Sequence, residues 1–132
     1  MPTGLGGEKI WLCPTLEGEN LDLSGNGNHG TYQGGMGIVA DKYKGKRTYS
    51  LDGSDDYIDL GNVFNPAGAF SITFWARVTK NQQMFISKNW NGTSEPYISR
   101  LDSNGTLRFY TYDGAFHGTA VNGVFVFNQW TA

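Results

Sequence analysis

The 132-residue sequence has little of several features that other classes of protein need. Its single cysteine, Cys13, excludes an internal disulfide and is expected to be a small buried hydrophobe. No apolar run reaches the ~20 residues of a membrane-spanning helix, so we expect no membrane partner. The net charge of −2 and the lack of an extended basic face lead us to expect no nucleic-acid partner.

Helical periodicity is also missing, whereas apolar and polar residues repeatedly alternate. The clearest case is the segment 69–80, "AFSITFWARVTK", which predicts a strand with one face directed into a core. Further short strands are predicted at 9–14, 30–33, 47–53, 56–62, 83–90 and 124–130. We expect three tryptophans to be core residues: Trp11, Trp75 and Trp130.

The segment 97–114, "YISRLDSNGTLRFYTYDG", contains two alternating runs on either side of Asp102-Ser103-Asn104-Gly105. Asn and Gly tolerate the positive φ angles of tight turns, so this stretch predicts a β-hairpin. Short strands at this spacing indicate an antiparallel sandwich or barrel. The length fits one domain, assigned to residues 8–132 behind a flexible lead-in of residues 1–7.

The loop "DLSGNGNHGTY" (22–32) allows two interpretations. Its glycines and asparagines supply several positions for φ > 0, and Asp22 and Asn26 can bond the loop's own amides, so it can be only a tight connection. The same oxygen-bearing side chains could instead hold a ligand.

Five motifs occur in the order typical of laminin-G-like and pentraxin-like domains. They are "DLSGNGNHGTY", "YSLDGSDDYIDLGN", "FSITFWARV", "FISK" and "NQWT", and the stretch that contains them spans about residues 8–131. The chain thus resembles the concanavalin A-like lectin/glucanase superfamily, in the branch widespread in bacterial and phage proteins.

The resemblance implies an all-β fold, an antiparallel two-sheet jelly-roll sandwich. It also implies carbohydrate or other surface ligands, calcium in some members, and many non-catalytic appendages. In the family, further strands normally follow the segment similar to "FNQWT", whereas this sequence stops at Ala132. We therefore expect a sandwich shortened at its C-terminus, completed by other chains of an assembly or by a homo-oligomer, because uncovered sheet edges are seldom tolerated.

Calcium is the cofactor that the loops favour, since it takes hard oxygen ligands from carboxylates, amides and carbonyls. The candidate ligands come from two loops: Asp22, Asn26 and Asn28 from the first, and Asp55 and Asp56 from the second. The alternative is that Asp55 and Asp56 cap turn amides and orient the strand that starts at Tyr57.

Aromatic and amide side chains share two further loops, 89–97 and 110–118. An aromatic platform beside hydrogen-bonding groups suits the apolar face and hydroxyl rim of a sugar. The candidate ligand-binding residues are Trp90, Asn91, Tyr112, Asp113, Phe116 and His117. The alternative is that Trp90 and Phe116 close the ends of the core.

Catalysis is not expected. Glycoside hydrolysis needs two carboxyl groups facing each other across a sugar, about 5–10 Å apart. The four glutamates, Glu8, Glu17, Glu19 and Glu95, lack the strand spacing of such a pair. A Ser or Cys nucleophile needs a neighbouring histidine, and nothing in the sequence links His29 or His117 to one.

The start "MPTGLGGEKIW" has neither the basic nor the apolar region of a secretory signal. Virion proteins need no secretion, because they assemble in the host cytoplasm and leave by lysis. We therefore expect a non-enzymatic virion decoration or appendage protein, with glycan binding as an added role. The alternatives are an adhesion module of a bacterial surface protein, which would be extracellular, and a glycan-active enzyme.

Overall fold

The computed structural model describes residues 10–14, 22–40, 47–64, 69–88, 97–112 and 115–131, with the side chains of Tyr97, Ile98, Arg100 and Trp130 excepted. Every regular element in these residues is a β-strand, and every strand pair is antiparallel. No helix among them has the length and apolarity to span a bilayer. The all-β, antiparallel fold class is confirmed.

The chain divides into two compact units, residues 1–71 and 72–132. The expected lead-in, residues 1–7, lies outside the described residues, and the assignment of 8–132 to one domain stays a prediction. The first unit has four strands: β1 (Thr31–Gln33), β2 (Gly37–Ala40), β3 (Arg47–Ser50) and β4 (Tyr57–Asp59). β1 pairs with β4 and β2 with β3, and Leu12 forms an isolated bridge with Asp22.

The second unit has six strands: β5 (Ala76–Arg77), β6 (Met84–Lys88), β7 (Tyr97–Leu101), β8 (Leu107–Tyr112), β9 (Phe116–Val121) and β10 (Trp130–Thr131). β6, β7, β8 and β9 form a four-stranded sheet in sequence order, and β10 pairs with β5. Val78 and Leu101 are buried, and the Phe85 ring lies 5.0 Å from Phe74 and 5.1 Å from Phe125. Apolar and aromatic side chains thus form the core of this unit.

The turn between β7 and β8 confirms the hairpin predicted around Asp102–Gly105. Asp102 Oδ1 accepts hydrogen bonds from the backbone N–H groups of Asn104 and Thr106, each at 2.9 Å. Asp102 Oδ2 accepts one from Arg108 Nε at 2.8 Å. This ion pair with Arg108 is the main cause that lowers the pKa of Asp102. One carboxylate therefore fixes both the turn and the first residues of β8.

The segment 69–80 keeps the predicted alternation but only part of the predicted strand. Phe70, Ile72 and Phe74 are half-buried, whereas the residues between them are exposed. Only Ala76 and Arg77 have a strand partner among the described residues, because β10 pairs with these two positions alone. Trp75 is 58% exposed, so its assignment to the core was wrong. Successive side chains of an extended segment point to opposite faces, so the position of Trp75 places it on the exposed face although it is large and apolar.

The structure differs from the sequence predictions at three other places. The segment 110–118, expected as a loop, belongs mostly to β8 and β9, and β2 was not predicted. The strand expected at 124–130 is absent before Trp130, because the chain turns at Asn128, whose φ is +62°. Trp11 is half-buried, and the Trp130 side chain lies outside the described part. The expected C-terminal shortening stays a prediction.

Candidate functional site

The loop 22–30 is organised around one carboxylate, that of Asp22. Its Oδ1 accepts hydrogen bonds from the backbone N–H of Trp11 at 2.8 Å and of Ser24 at 2.9 Å. Its Oδ2 accepts one from Ser24 Oγ at 2.8 Å and one from the backbone N–H of Asn28 at 3.0 Å. Four donors from the same loop and the adjoining segment therefore occupy this carboxylate.

Burial also marks Asp22 as structural, since only 6% of the residue is exposed. Desolvation by burial raises its pKa, but the hydrogen bonds from Trp11, Ser24 and Asn28 together outweigh this and lower the pKa below its usual value. The backbone N–H of Asp22 donates to His29 Nδ1 at 3.0 Å, which requires a lone pair on that nitrogen. The geometry therefore favours the interpretation of this loop as a tight connection.

The loop between β3 and β4 has a different arrangement, with three carboxylates close together. Asp52, Asp55 and Asp56 each offer one oxygen, and these oxygens lie within 4.8 Å of one another. Asp56 Oδ1 accepts a hydrogen bond from the Gly35 N–H at 2.6 Å, and its Oδ2 accepts one from the Asp52 N–H at 2.8 Å. We call Asp52, Asp55 and Asp56 the acidic cluster.

The acidic cluster can hold a metal ion. Asp52 and Asp55 are exposed and Asp56 is half-buried, so an ion would approach from solvent and keep some of its water. The sequence prediction included Asp55 and Asp56 but missed Asp52, whose place at the start of "DGSDD" was the available signal. Asp22, Asn26 and Asn28 do not belong to this cluster, and their roles as ligands stay predictions.

A second candidate surface is a group of aromatic rings at the end of the β8–β9 hairpin. Tyr112 pairs across the strands with Phe116, with ring centroids 4.9 Å apart, and the Tyr110 ring lies 6.3 Å from Phe116. Tyr110 faces Gly118, where any Cβ atom would overlap the tyrosine ring. Phe116 is 51% exposed. We call Tyr110, Tyr112 and Phe116 the aromatic cluster.

The predicted ligand-binding residues are only partly brought together. Tyr112 and Phe116 share one face of the sheet, whereas His117 lies on the opposite face because successive strand residues alternate. Tyr110 was missed, although its position two residues before Tyr112 on one strand was a usable signal. Three predicted residues lie outside the described part of the chain: Trp90, Asn91 and Asp113. As ligand contacts, all of these residues stay predictions.

The strand-only architecture defines an antiparallel all-β protein. A laminin G-type family model, described as the concanavalin A-like lectin/glucanases superfamily, matches residues 52–132. The chain belongs to this family, which confirms the resemblance drawn from the sequence motifs. The match contains the acidic and aromatic clusters and leaves the Asp22 loop outside it. Comparison with curated proteins and comparison with solved structures gave no match.

Proposed function

We propose that this chain is a non-catalytic recognition module that binds glycans and is carried on a virion as a decoration or appendage protein. The observation that carries glycan binding is the aromatic cluster, since exposed rings on a sheet suit the apolar face of a sugar. Family membership supports a lectin-like role, because lectins and glucanases share this superfamily.

Exposure and support together make the aromatic cluster suitable for stacking. Half of Phe116 is accessible to solvent, while its contacts with Tyr110 and Tyr112 limit the movement of its ring. A ring held in place loses less conformational freedom when a ligand packs on it. Tyr110 and Tyr112 also bring hydroxyl groups, which can bond to sugar hydroxyls.

A glycan array with purified protein tests recognition. Wild type is expected to bind a subset of glycans, and Phe116→Ala is expected to weaken that binding by about fivefold to tenfold. Phe127→Ala is the matched control, since Phe127 is also an exposed phenylalanine but lies outside the cluster. Binding that is absent in wild type, or equal in both variants, would contradict the proposal.

The non-catalytic part of the proposal is supported by the arrangement of those carboxylates that the structure describes. The acidic cluster sits in an exposed turn, with its oxygens within 4.8 Å, and Asp102 is engaged by Arg108. Hydrolysis needs two carboxyl groups about 5–10 Å apart on opposite sides of a glycosidic bond. Mass spectrometry of any bound glycan after prolonged incubation is expected to find it intact, and released products would favour the glycan-active enzyme instead.

The virion part of the proposal rests on the resemblance of the sequence motifs to the branch of the family that is widespread in phage proteins. In this setting the chain assembles in the host cytoplasm and contacts other chains of the particle. A fixed copy number in purified particles is the expected result. Detection on a bacterial surface, with none in particles, would favour the adhesion module.

We propose calcium as the ion for the acidic cluster. Three carboxylates at close range repel one another, and a divalent cation removes that repulsion. Calcium accepts exposed, irregular oxygen sites more readily than magnesium, which demands near-octahedral geometry. The cluster would bind the ion and stabilise the loop between β3 and β4, with no part in a reaction.

A further inference from the structure

The sequence contains Asn-Gly dipeptides in several loops, and asparagine is a chemically labile residue. The nitrogen of the following glycine, which carries no neighbouring side chain to hinder it, can attack the carbonyl carbon of the asparagine side chain. Three such pairs lie in the described residues: Asn26-Gly27, Asn104-Gly105 and Asn122-Gly123. A fourth, Asn91-Gly92, lies outside them. The surroundings of the three described pairs differ, so their reactivity is expected to differ.

The turn between β7 and β8 holds the attacking nitrogen of its Asn-Gly pair. The Gly105 N–H donates to the Asp102 carbonyl oxygen at 3.2 Å, and the Asp102 N–H donates to the Thr106 carbonyl oxygen at 3.0 Å. The Asp102 carboxylate also accepts the Asn104 N–H at 2.9 Å. Attack by the Gly105 nitrogen would break its own hydrogen bond and move a turn that is fixed at several points. We therefore expect this pair to react slowly.

The pair that follows β9 is held through its side chain. Asn122 Oδ1 accepts a hydrogen bond from Thr106 Oγ1 at 2.6 Å. Thr106 is itself buried, with 8% of the residue exposed. This contact restrains the amide group of Asn122, whose carbon must turn toward the Gly123 nitrogen before a bond can form. We expect this pair to react slowly as well.

The pair in the loop 22–30 has more room for backbone movement. Gly25, Asn26 and Gly27 are all exposed. The two glycines have φ angles of +86° and +74°, and a Cβ atom at either position would meet nothing within 4 Å. The backbone N–H and the side-chain amide of Asn26 donate to Ser24 Oγ, which belongs to the same loop. Glycine on both sides gives the backbone a wide range of conformations, so the Gly27 nitrogen can approach the Asn26 side chain.

We propose that Asn26 is a site of spontaneous deamidation in the folded protein. The Gly27 nitrogen forms a bond to Asn26 Cγ, the Cγ–Nδ2 bond breaks, and the proton of the Gly27 N–H leaves with the amide nitrogen as ammonia. Water then opens the cyclic imide at either carbonyl, which yields aspartate or isoaspartate. Water is the co-reactant, and nothing is oxidised or reduced. Each event adds one negative charge to the loop 22–30.

The direction of two hydrogen bonds makes the loop sensitive to this change. Ser24 Oγ donates to Asp22 Oδ2 at 2.8 Å and accepts from Asn26 Nδ2 at 2.9 Å. A hydroxyl group has a single hydrogen, and here it points to Asp22, because an ionised carboxylate can only accept. An aspartate at position 26 would set a second acceptor against Ser24 Oγ and a second negative charge near Asp22. Deamidation is therefore expected to weaken the loop that Asp22 organises.

Peptide mapping by mass spectrometry, during incubation of the folded protein at mildly alkaline pH, tests the site. Asn26 is expected to deamidate at least about fivefold faster than Asn104 and Asn122, which corresponds to one hydrogen bond that the slower pairs must break. In concentrated urea the three rates are expected to converge, because the same dipeptide then has no fixed surroundings. A folded protein in which Asn26 reacts no faster than the other two would overturn the proposal.

The effect of the modification is measured on a variant that carries its product. Asn26→Asp is expected to lower the melting temperature by about 4 °C. Asn104→Asp is the matched control, since Asn104 is also an exposed asparagine before a glycine, and its melting temperature is expected to stay near that of wild type. An Asn26→Asp variant that melts as wild type does would contradict the effect on the loop. Neither measurement involves a glycan, so the outcome is independent of the proposed function.

Discussion

Two loops of the first unit use carboxylates in opposite arrangements. The loop 22–30 contains three glycines and one aspartate, whereas the loop between β3 and β4, residues 51–56, contains one glycine and three aspartates. In the loop 22–30 a single buried carboxylate, that of Asp22, accepts four hydrogen bonds. In the loop between β3 and β4 three carboxylates gather at an exposed turn, where Asp56 accepts two N–H groups and Asp52 accepts one.

The difference between the two loops indicates that the number of hydrogen-bond donors for each carboxylate distinguishes a structural loop from a candidate ion site. A carboxylate whose lone pairs are all engaged by N–H and O–H donors gains little from a cation, which would have to displace those donors. The three carboxylates of the acidic cluster share three N–H donors, so they keep oxygens available to a cation, and a cation lowers the energy of their mutual repulsion.

The largest expected effect is on Asp22. Asp22→Ala removes the acceptor for four hydrogen bonds and leaves partly buried donors unpaired, so we expect a loss of about 3 kcal/mol in the free energy of unfolding. Urea denaturation measures it. Asp59→Ala is the control, because Asp59 is exposed and its carboxylate accepts the Gly61 N–H, and its loss is expected to be about 1 kcal/mol. Equal losses would contradict a special structural role for the Asp22 carboxylate.

A pair of glycines compares the surroundings of the two loops, since both have positive φ: Gly34, in the turn between β1 and β2 next to the acidic cluster, at +72°, and Gly27 at +74°. A Cβ at Gly34 would lie 2.6 Å from Asp56 Oδ1 and 2.7 Å from the Asp55 carbonyl oxygen, whereas one at Gly27 meets nothing within 4 Å. Gly27→Ala is expected to cost about 1 kcal/mol from backbone strain alone. Gly34→Ala is expected to cost about 2 kcal/mol, and thermal melts of both variants check the order.

Calcium is expected to stabilise the protein by a smaller amount. For a site with a Kd of about 1 mM, 10 mM calcium adds about 1.4 kcal/mol, which calorimetry detects as a higher melting temperature. Asp55→Asn is expected to abolish this shift and Asp59→Asn to keep it. A shift that survives Asp55→Asn, or no shift in wild type, would contradict calcium binding at the acidic cluster.

The smallest expected effect is on the pH dependence of stability. Folding lowers the pKa of Asp22 from its ordinary 3.8, so its contribution is complete above that value and is lost as pH falls through the folded-state pKa. In Asp22→Asn, the free energy of unfolding is expected to fall less as the pH is lowered. High salt screens the parallel contribution of the Asp102–Arg108 pair, which is more accessible to solvent. If Asp22→Asn loses stability at acid pH as wild type does, Asp22 does not contribute to the pH dependence.

The features predicted well are those that short stretches of chain determine. The hairpin around Asp102 follows from Asn104-Gly105 and from hydrogen bonds that span at most six residues. The segment 69–80 shows the predicted alternation of half-buried and exposed residues, although only Ala76 and Arg77 pair with another strand among the described residues. Both are set by local backbone preferences and by the alternation of side chains along a strand.

The features predicted poorly depend on contacts between distant residues. The aromatic cluster joins Tyr110 to Phe116 only because β9 folds back on β8, and a loop was expected there. Trp75 is exposed because of the face it occupies, which its residue type does not determine. The function of Asp22 depends on Trp11, eleven residues away, which no local pattern reveals.

The sequence by itself determined the all-β class, the main hairpin and the family. The alternation of apolar and polar residues, the turn residues and the sequence motifs each depend on residues that are close together in the chain. Tertiary structure alone decided which carboxylate is saturated with donors, which three gather, and which aromatic rings meet. Those outcomes depend on distances between residues far apart in the chain, and only the paired strands determine these distances.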